Sequence, residues 1–173
     1  LPARNRRLFQ IQNETLPKEE DIFITLPLDF ELDLYDTIIL NELGFSIIKV
    51  PNNLTLGESV VFAINSIGRY NETLRILHGD TVITDIDFNI NNAVSVGPIT
   101  DNYNWADLTN MNIDKQTFTG YFSFEKTSKI VKSIIESEKD FVNGVKKYFE
   151  SESVNLVTDV GWFDFGHVNT FFR

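Results

Sequence analysis

Cysteine is absent from the 173 residues, which excludes disulfides and thiolate metal sites and suits a cytoplasmic setting. Two histidines are too few for a histidine-rich metal centre. Cationic side chains are scarce: 15 Lys and Arg stand against 25 Asp and Glu, a formal net charge of −10. A surface of that sign repels a phosphate backbone, so nucleic acid is not an expected partner. A small phosphorylated ligand is still compatible, because a bound cation or a few local basic groups offset its charge. No apolar run approaches the ~20 residues of a membrane span, and no signal-peptide pattern is present, so neither a membrane nor export by that route is expected. Internal repeats and low-complexity segments are also missing. Glycine does not occur among residues 1–43, so that stretch itself holds no glycine-rich phosphate loop.

What is present fits one domain spanning 1–173, with an aromatic-rich core: 42% of residues are hydrophobic, and 15 Phe stand against one Met. The stretch around which the chain is organised is Leu74–Asp85. Leu74–Leu77 is dense in apolar residues, interrupted only by Arg75, as in a strand buried on both sides of an α/β sheet. It runs into Gly79-Asp80, which leaves a carboxylate at the strand's carboxyl end, where open α/β sheets bind ligands. Gly79-Asp80 is either a plain turn or, where phosphates are handled, a holder of Mg²⁺.

In chain order, the N-terminal stretch carries Arg4, Arg6 and Arg7, either a solvated basic end or guanidinium forks for phosphate. Asp21–Pro27 and Phe45–Val50 read as strands, with a helix between them over Leu32–Gly44 whose apolar side is Leu34, Ile38, Ile39 and Leu43. Strand, helix and strand with short links predict a parallel pair with a right-handed crossover. Asn53–Gly68 reads as a second helix, with Thr55 and Glu58 as a capping box and Gly57 in its first turn, where backbone can approach a ligand. Beyond Asp80 the texture changes to short strands over Ala93–Ile99, Tyr103–Thr109 and Thr117–Phe124, consistent with antiparallel pairs. Helices are predicted over Ser128–Glu136 and Glu138–Glu150, and a last strand over Val154–Val157. Asp164 then sits between Phe163 and Phe165, where a carboxylate is costly unless it projects to solvent or binds a cation. His78 reads as a structural hydrogen-bonder. His167 and Asn169 lie near enough in sequence to Asp164 to touch a ligand, and Tyr103 and Trp105 either line a pocket or cover the sheet.

Gly79-Asp80 at a strand end, followed late in the chain by Trp162-Phe163-Asp164-Phe165-Gly166-His167-Val168-Asn169-Thr170, resembles the sugar-phosphate nucleotidylyltransferases, the pyrophosphorylases that make nucleotide-activated sugars. The late motif resembles a branch found in bacterial surface-polysaccharide clusters, with His167 where the family commonly has threonine. Leu56-Gly57-Glu58-Ser59 falls where the family has its turn against the nucleobase, and Gly120-Tyr121-Phe122 resembles its Gly-Ile-Tyr strand. The resemblance implies an α/β fold: a three-layer α/β/α, Rossmann-like, mixed and mainly parallel sheet of glycosyltransferase-A type, with an antiparallel extension. It implies transfer of a nucleotidyl group from a nucleoside triphosphate to a sugar phosphate or similar small phosphorylated metabolite. Asp80 and Asp164 would jointly hold Mg²⁺, and Lys115 would contact phosphate, although the family's Glu-Lys-Pro context is absent. Arg4, Arg6, Leu56, Gly57, Glu58 and Gly79 would bind the nucleotide. Trp105, Gly120, Gly166, His167 and Asn169 would bind the acceptor. Homo-oligomerisation is compatible with the resemblance. The family's opening Gly-x-Gly-x-Arg loop has no counterpart, so Leu1-Pro-Ala-Arg is expected to follow such a loop in a truncated chain. Two alternatives stand beside this reading: a glycosyltransferase using Asp85 and Asp87 on its metal, and an inactive binding or regulatory module that keeps the fold.

Overall fold

A computed structural model describes residues 6–99, 105–106, 108, 111, 113, 115–158 and 160–166. These residues divide into two compact units, each assembled from separated stretches of chain. None of the described helices is long and apolar enough to cross a membrane.

One unit is built from Pro17–Glu72 and Lys126–Ser151. Its first strand β1 (Ile22–Pro27) pairs in parallel with β2 (Phe45–Val50), from Ile22 opposite Phe45 to Pro27 opposite Val50. The crossover between them is the helix α2 (Leu34–Glu42), as the strand–helix–strand pattern predicts. Asp33 caps it by accepting from Asp36 N at 2.7 Å. The face it buries differs from the predicted stripe: Leu40 is fully buried, whereas Leu34 is 76% and Ile38 47% exposed. Leu40 lies about 240° around the helix from Leu34 at 100° per residue, with Ile39 and Leu43 flanking that inward side. Apolar residues occur on both sides of α2, so periodicity alone did not select one.

The next helix, α3 (Leu56–Ile67), has the predicted capping box: Thr55 Oγ1 accepts from Glu58 N at 3.2 Å, and Glu58 accepts from Thr55 N at 3.0 Å. Glu58 also pairs with Lys139 at 3.3 Å; these bonds, the one from Thr55 N foremost, hold its carboxyl below the usual range. Helices α4 (Thr127–Glu136) and α5 (Phe141–Ser151) form a hairpin around Ile130, Ile134, Phe141, Val145 and Tyr148. The second begins at Phe141 and not at the expected Glu138, because Glu138 and Lys139 have φ of 55° and 64°, which no right-handed helix accepts.

The other unit draws on the described residues of Leu1–Leu16, Thr73–Glu125 and Glu152–Arg173. It opens with a helix the sequence reading did not foresee, α1 (Leu8–Thr15), whose first turn is held by Arg7 N donating to Gln10 Oε1 at 2.8 Å. Its four-stranded sheet runs β3 (Leu74–Leu77), β6 (Gln116–Phe124), β5 (Ala93–Pro98), β7 (Asn155–Val157) in spatial order. The β3–β6 and β5–β6 pairs are antiparallel and β5–β7 is parallel. Thr117–Phe124 of β6 is buried throughout, and the Ser95 and Thr119 hydroxyls bond each other at 2.6 Å inside it. β3 is half-buried, and its described partner runs antiparallel. Its one basic residue, Arg75, donates from Nη2 to Phe88 O at 2.8 Å. A separate antiparallel ribbon joins β4 (Thr81–Thr84) to β8 (Gly161–Asp164). Parallel and antiparallel pairs thus share a mixed α/β chain, the class the sequence implies.

A Cβ at Gly57 would overlap the carbonyl oxygen of Lys139 in the α4–α5 turn. Close packing against that backbone accounts for this glycine without a ligand. Gly57→Ala is expected to cost about 2 kcal/mol or more through overpacking, read as a lower urea midpoint at unchanged slope.

Candidate functional site: a carboxylate pair at the end of a two-stranded ribbon

The site begins in a β-turn, His78-Gly79-Asp80-Thr81, closed by Thr81 N donating to His78 O at 3.2 Å. The turn delivers the chain from β3 to β4. Across the ribbon Thr81 lies opposite Asp164, and the pairing continues one step further, with Phe165 N donating to Asp80 O at 2.7 Å. The chain then turns back on itself: Gly166 N donates to Asp164 Oδ1 at 2.7 Å. The two carboxylates therefore face one point. A Cβ placed on Gly166 would lie 2.5 Å from Asp80 Oδ2 and 3.2 Å from Asp164 Oδ1. Only a residue without a side chain fits there unless Asp80 moves. Asp164 is 5% exposed, whereas Asp80 opens to solvent, its Oδ1 accepting from Thr81 Oγ1 at 3.3 Å.

An aromatic wall lies beside the turn. The His78 ring meets Trp105 edge-on at 4.7 Å and Phe122 at 5.8 Å, and Phe122 packs on Phe118 and Phe124. Burial lowers the His78 pKa, against an opposing pull from the Asp80 and Asp164 carboxylates. The ring is thus biased toward the neutral form. Gly120, on β6, closes the other side: His78 N donates to its carbonyl at 3.0 Å.

Two like charges aimed at one point favour a cation between them. Carboxylate oxygens are hard donors, and Mg²⁺ is commonly held by one or two carboxylates, with phosphate oxygens and waters completing its shell. Among the described residues no cluster of three His, Cys, Asp or Glu side chains is arranged for a metal. Two carboxylates leave most positions of a cation's shell to phosphate oxygens and water, an arrangement that suits Mg²⁺.

The structure brings together Gly79, Asp80, Trp105, Gly120, Asp164 and Gly166. It does not bring Lys115 to them: that residue stands in the turn before β6, five extended residues from Gly120, roughly 17 Å along the strand. Arg6 forms an exposed ion pair with Glu14 at 2.6 Å. Leu56, Gly57 and Glu58 belong to the other unit, where the glycine and the glutamate serve the packing and capping of α3. Asp85 and Asp87 lie past the far end of β4; Asp85 accepts from Thr84 Oγ1, and Asp87 from the backbone and side chain of Asn89. Arg4, Tyr103, His167 and Asn169 lie outside the described residues. The sequence reading missed Gln12 of α1, whose side-chain amide reaches both ends of the turn. A lone glutamine in an unpredicted helix gives no sequence signal.

No protein-family model and no curated protein matches the chain. Solved structures do. A UDP-glucose pyrophosphorylase complexed with UDP-glucose superimposes with a TM-score of 0.67 at 11% identity, over 99% of this chain and 86% of that one. A Bacillus anthracis protein described as a candidate glucose-1-phosphate thymidylyltransferase, in complex with sucrose, gives 0.61 at 15% identity over 88% and 74%. A UTP-bound UDP-glucose pyrophosphorylase from Acinetobacter baumannii gives 0.53 at 13% identity over 80% and 64%. The chain has the fold of the nucleotidylyltransferases.

The glycines at the site separate structural from open positions. Gly120 has φ +102°, and a Cβ there would meet Thr81 Oγ1 at 3.0 Å and His78 Cβ at 3.3 Å, whereas one at Gly79 would meet nothing within 4 Å. Gly120→Ala is expected to destabilise by about 2 kcal/mol, from backbone strain and crowding together. Gly79→Ala is expected to stay within about 0.5 kcal/mol of the parent in the same urea titration.

Proposed function

We propose that the chain is a nucleotidylyltransferase domain. It transfers a nucleoside monophosphate from a nucleoside triphosphate to a sugar phosphate, or to a similar small phosphorylated metabolite, and releases pyrophosphate. Surface-polysaccharide or capsule synthesis in the cytoplasm is the setting, and 1–173 acts as a single nucleotidyltransferase-like domain. The observation that carries this reading is the convergence of Asp80 and Asp164 on Gly166, within a fold shared with enzymes of that class. The UDP-glucose and UTP bound by two of those neighbours support a nucleotide and a sugar as the ligand classes.

In the reaction an oxygen of the acceptor phosphate bonds to the α-phosphorus as the bond from that phosphorus to the pyrophosphate oxygen breaks. Electrons and atoms balance without an enzyme-bound intermediate, so the side chains position and neutralise. Asp80 and Asp164 are the residues to hold Mg²⁺, which when bound supplies positive charge to the phosphate oxygens. The space beside Gly79 lets a ligand approach the backbone of the turn. The Trp105 and His78 rings form an aromatic wall beside the turn that bears Asp80.

The glycosyltransferase reading is less supported, because Asp85 and Asp87 are engaged within their own loop. The test uses the natural polypeptide that carries these residues, with Mg²⁺, each ribonucleoside triphosphate or dTTP, and a panel of phosphorylated metabolites, following pyrophosphate. One triphosphate and one acceptor are expected to give release. Asp80→Asn and Asp164→Asn are each expected to lower it by roughly a hundredfold or more while the protein stays folded. Nucleotide binding without release for any pair would replace the enzyme with a binding module.

A further inference from the structure

The turn that carries Asp80 is held from outside the ribbon by the side chain of Gln12. Gln12 lies on α1, is 9% exposed, and faces β4. Its Nε2 donates one hydrogen to His78 O at 2.9 Å and the other to Thr81 O at 2.7 Å. Those carbonyls belong to the first and last residues of the turn, and Gly79-Asp80 is the pair between them. The same His78 oxygen also accepts the turn's own closing bond from Thr81 N. We infer that Gln12 is a positioning residue for the carboxylate pair: its amide straps both ends of the turn and keeps the Asp80 carboxylate directed at the point it shares with Asp164.

The strap matters because the pair repels itself. Asp164 is buried and fixed by β8, while Asp80 is exposed and sits in a turn whose glycine has open space around it. Without a cation, repulsion favours rotation of Asp80 outward into water. A turn pinned at both ends resists that rotation, so less binding free energy is spent on restoring the geometry when a cation arrives. The chemistry of the amide is specific to the task. One nitrogen carries two hydrogens for two carbonyls. Glutamate would face both with acceptors, methionine has no donor, and asparagine is one methylene too short to reach both. The inference rests on the reading that Asp80 and Asp164 hold a divalent cation.

The experiment is Mn²⁺ binding to the full polypeptide, measured from the free-ion electron paramagnetic resonance signal, together with the Mg²⁺ dependence of pyrophosphate release. Gln12→Met is expected to weaken Mn²⁺ binding by about tenfold, the effect of losing two modest hydrogen bonds. Its Mg²⁺ half-saturation is expected to rise by a similar factor, with kcat at saturating Mg²⁺ within about threefold of the parent by the same reasoning. Gln12→Asn, which keeps an amide and is the variant to use if Gln12→Met does not fold, should give an intermediate loss. A purely structural role would lower the unfolding midpoint and leave the Mn²⁺ affinity of the folded protein unchanged; that result, for either variant, overturns the strap. If the parent binds Mn²⁺ no better than Asp80→Asn and Asp164→Asn, the cation reading itself fails and the inference falls with it. The two failures are therefore distinguishable.

Discussion

The antiparallel pairing of β4 with β8 is the constraint on which the site depends. Asp80 and Asp164 come from distant parts of the sequence, and neither is placed by its own neighbours alone. The ribbon register sets Thr81 opposite Asp164, and the Phe165 N to Asp80 O bond carries it one step past the strand end. A slip of one residue would turn every side chain of β8 to the other face, separating the carboxylates and exposing Asp164 in exchange for Phe163 or Phe165. Register therefore sets the geometry of the carboxylate pair. It is specified locally by the backbone hydrogen bonds and by the tight return at Gly166.

The same economy of space recurs around it. Gly166 leaves the volume between two carboxylate oxygens unfilled, and Gly120 lets β6 press against His78 and Thr81. Behind them, buried Phe118, Phe122 and Phe124 supply a surface that does not yield, since close-packed aromatic side chains have few alternative rotamers. A rigid apolar wall next to a polar turn lowers the local dielectric, so charge–charge interactions at the pair are stronger than they would be in water. Precision at the carboxylates thus comes from packing in the sheet.

Much of this was legible in the sequence, and what was not has a physical cause in each case. The β1–α2–β2 crossover and the α3 cap follow from local chemistry: apolar runs, Thr55 as a cap, Glu58 three residues on. Asp80 and Asp164 stood out because a carboxylate at a strand end, or flanked by phenylalanines, requires a reason. Local pattern did not show that Thr81–Thr84 leaves β3 to pair elsewhere, because strand partners are chosen by the whole fold. It chose the wrong side of α2, where Leu34 and Ile38 are exposed, because apolar residues ring that helix. It offered Gly57 to a ligand when the Lys139 carbonyl occupies the space, a contact between segments far apart in sequence. Gln12 was invisible for the same reason: its meaning lies in two backbone carbonyls that only the folded chain brings within reach.

A chain of net charge −10 is a poor host for a polyanion unless its negative charge is arranged to recruit a counter-ion. Spreading carboxylates over a surface attracts only a diffuse ionic atmosphere, which salt screens over about 10 Å. Concentrating two on one point, with one buried, makes a localised demand for a cation that screening weakens much less. The asymmetry of the pair also has a consequence. On the proposed cation reading, Asp80, open to water, is the side from which an ion would enter with its hydration shell partly intact. Asp164, buried and already accepting from Gly166 N, would on that reading fix where the ion stops. An exposed pair would bind loosely in many geometries, and a fully buried pair would be slow to load and costly to keep ionised. One exposed and one buried carboxylate, set by a strand register, satisfies both requirements with few residues.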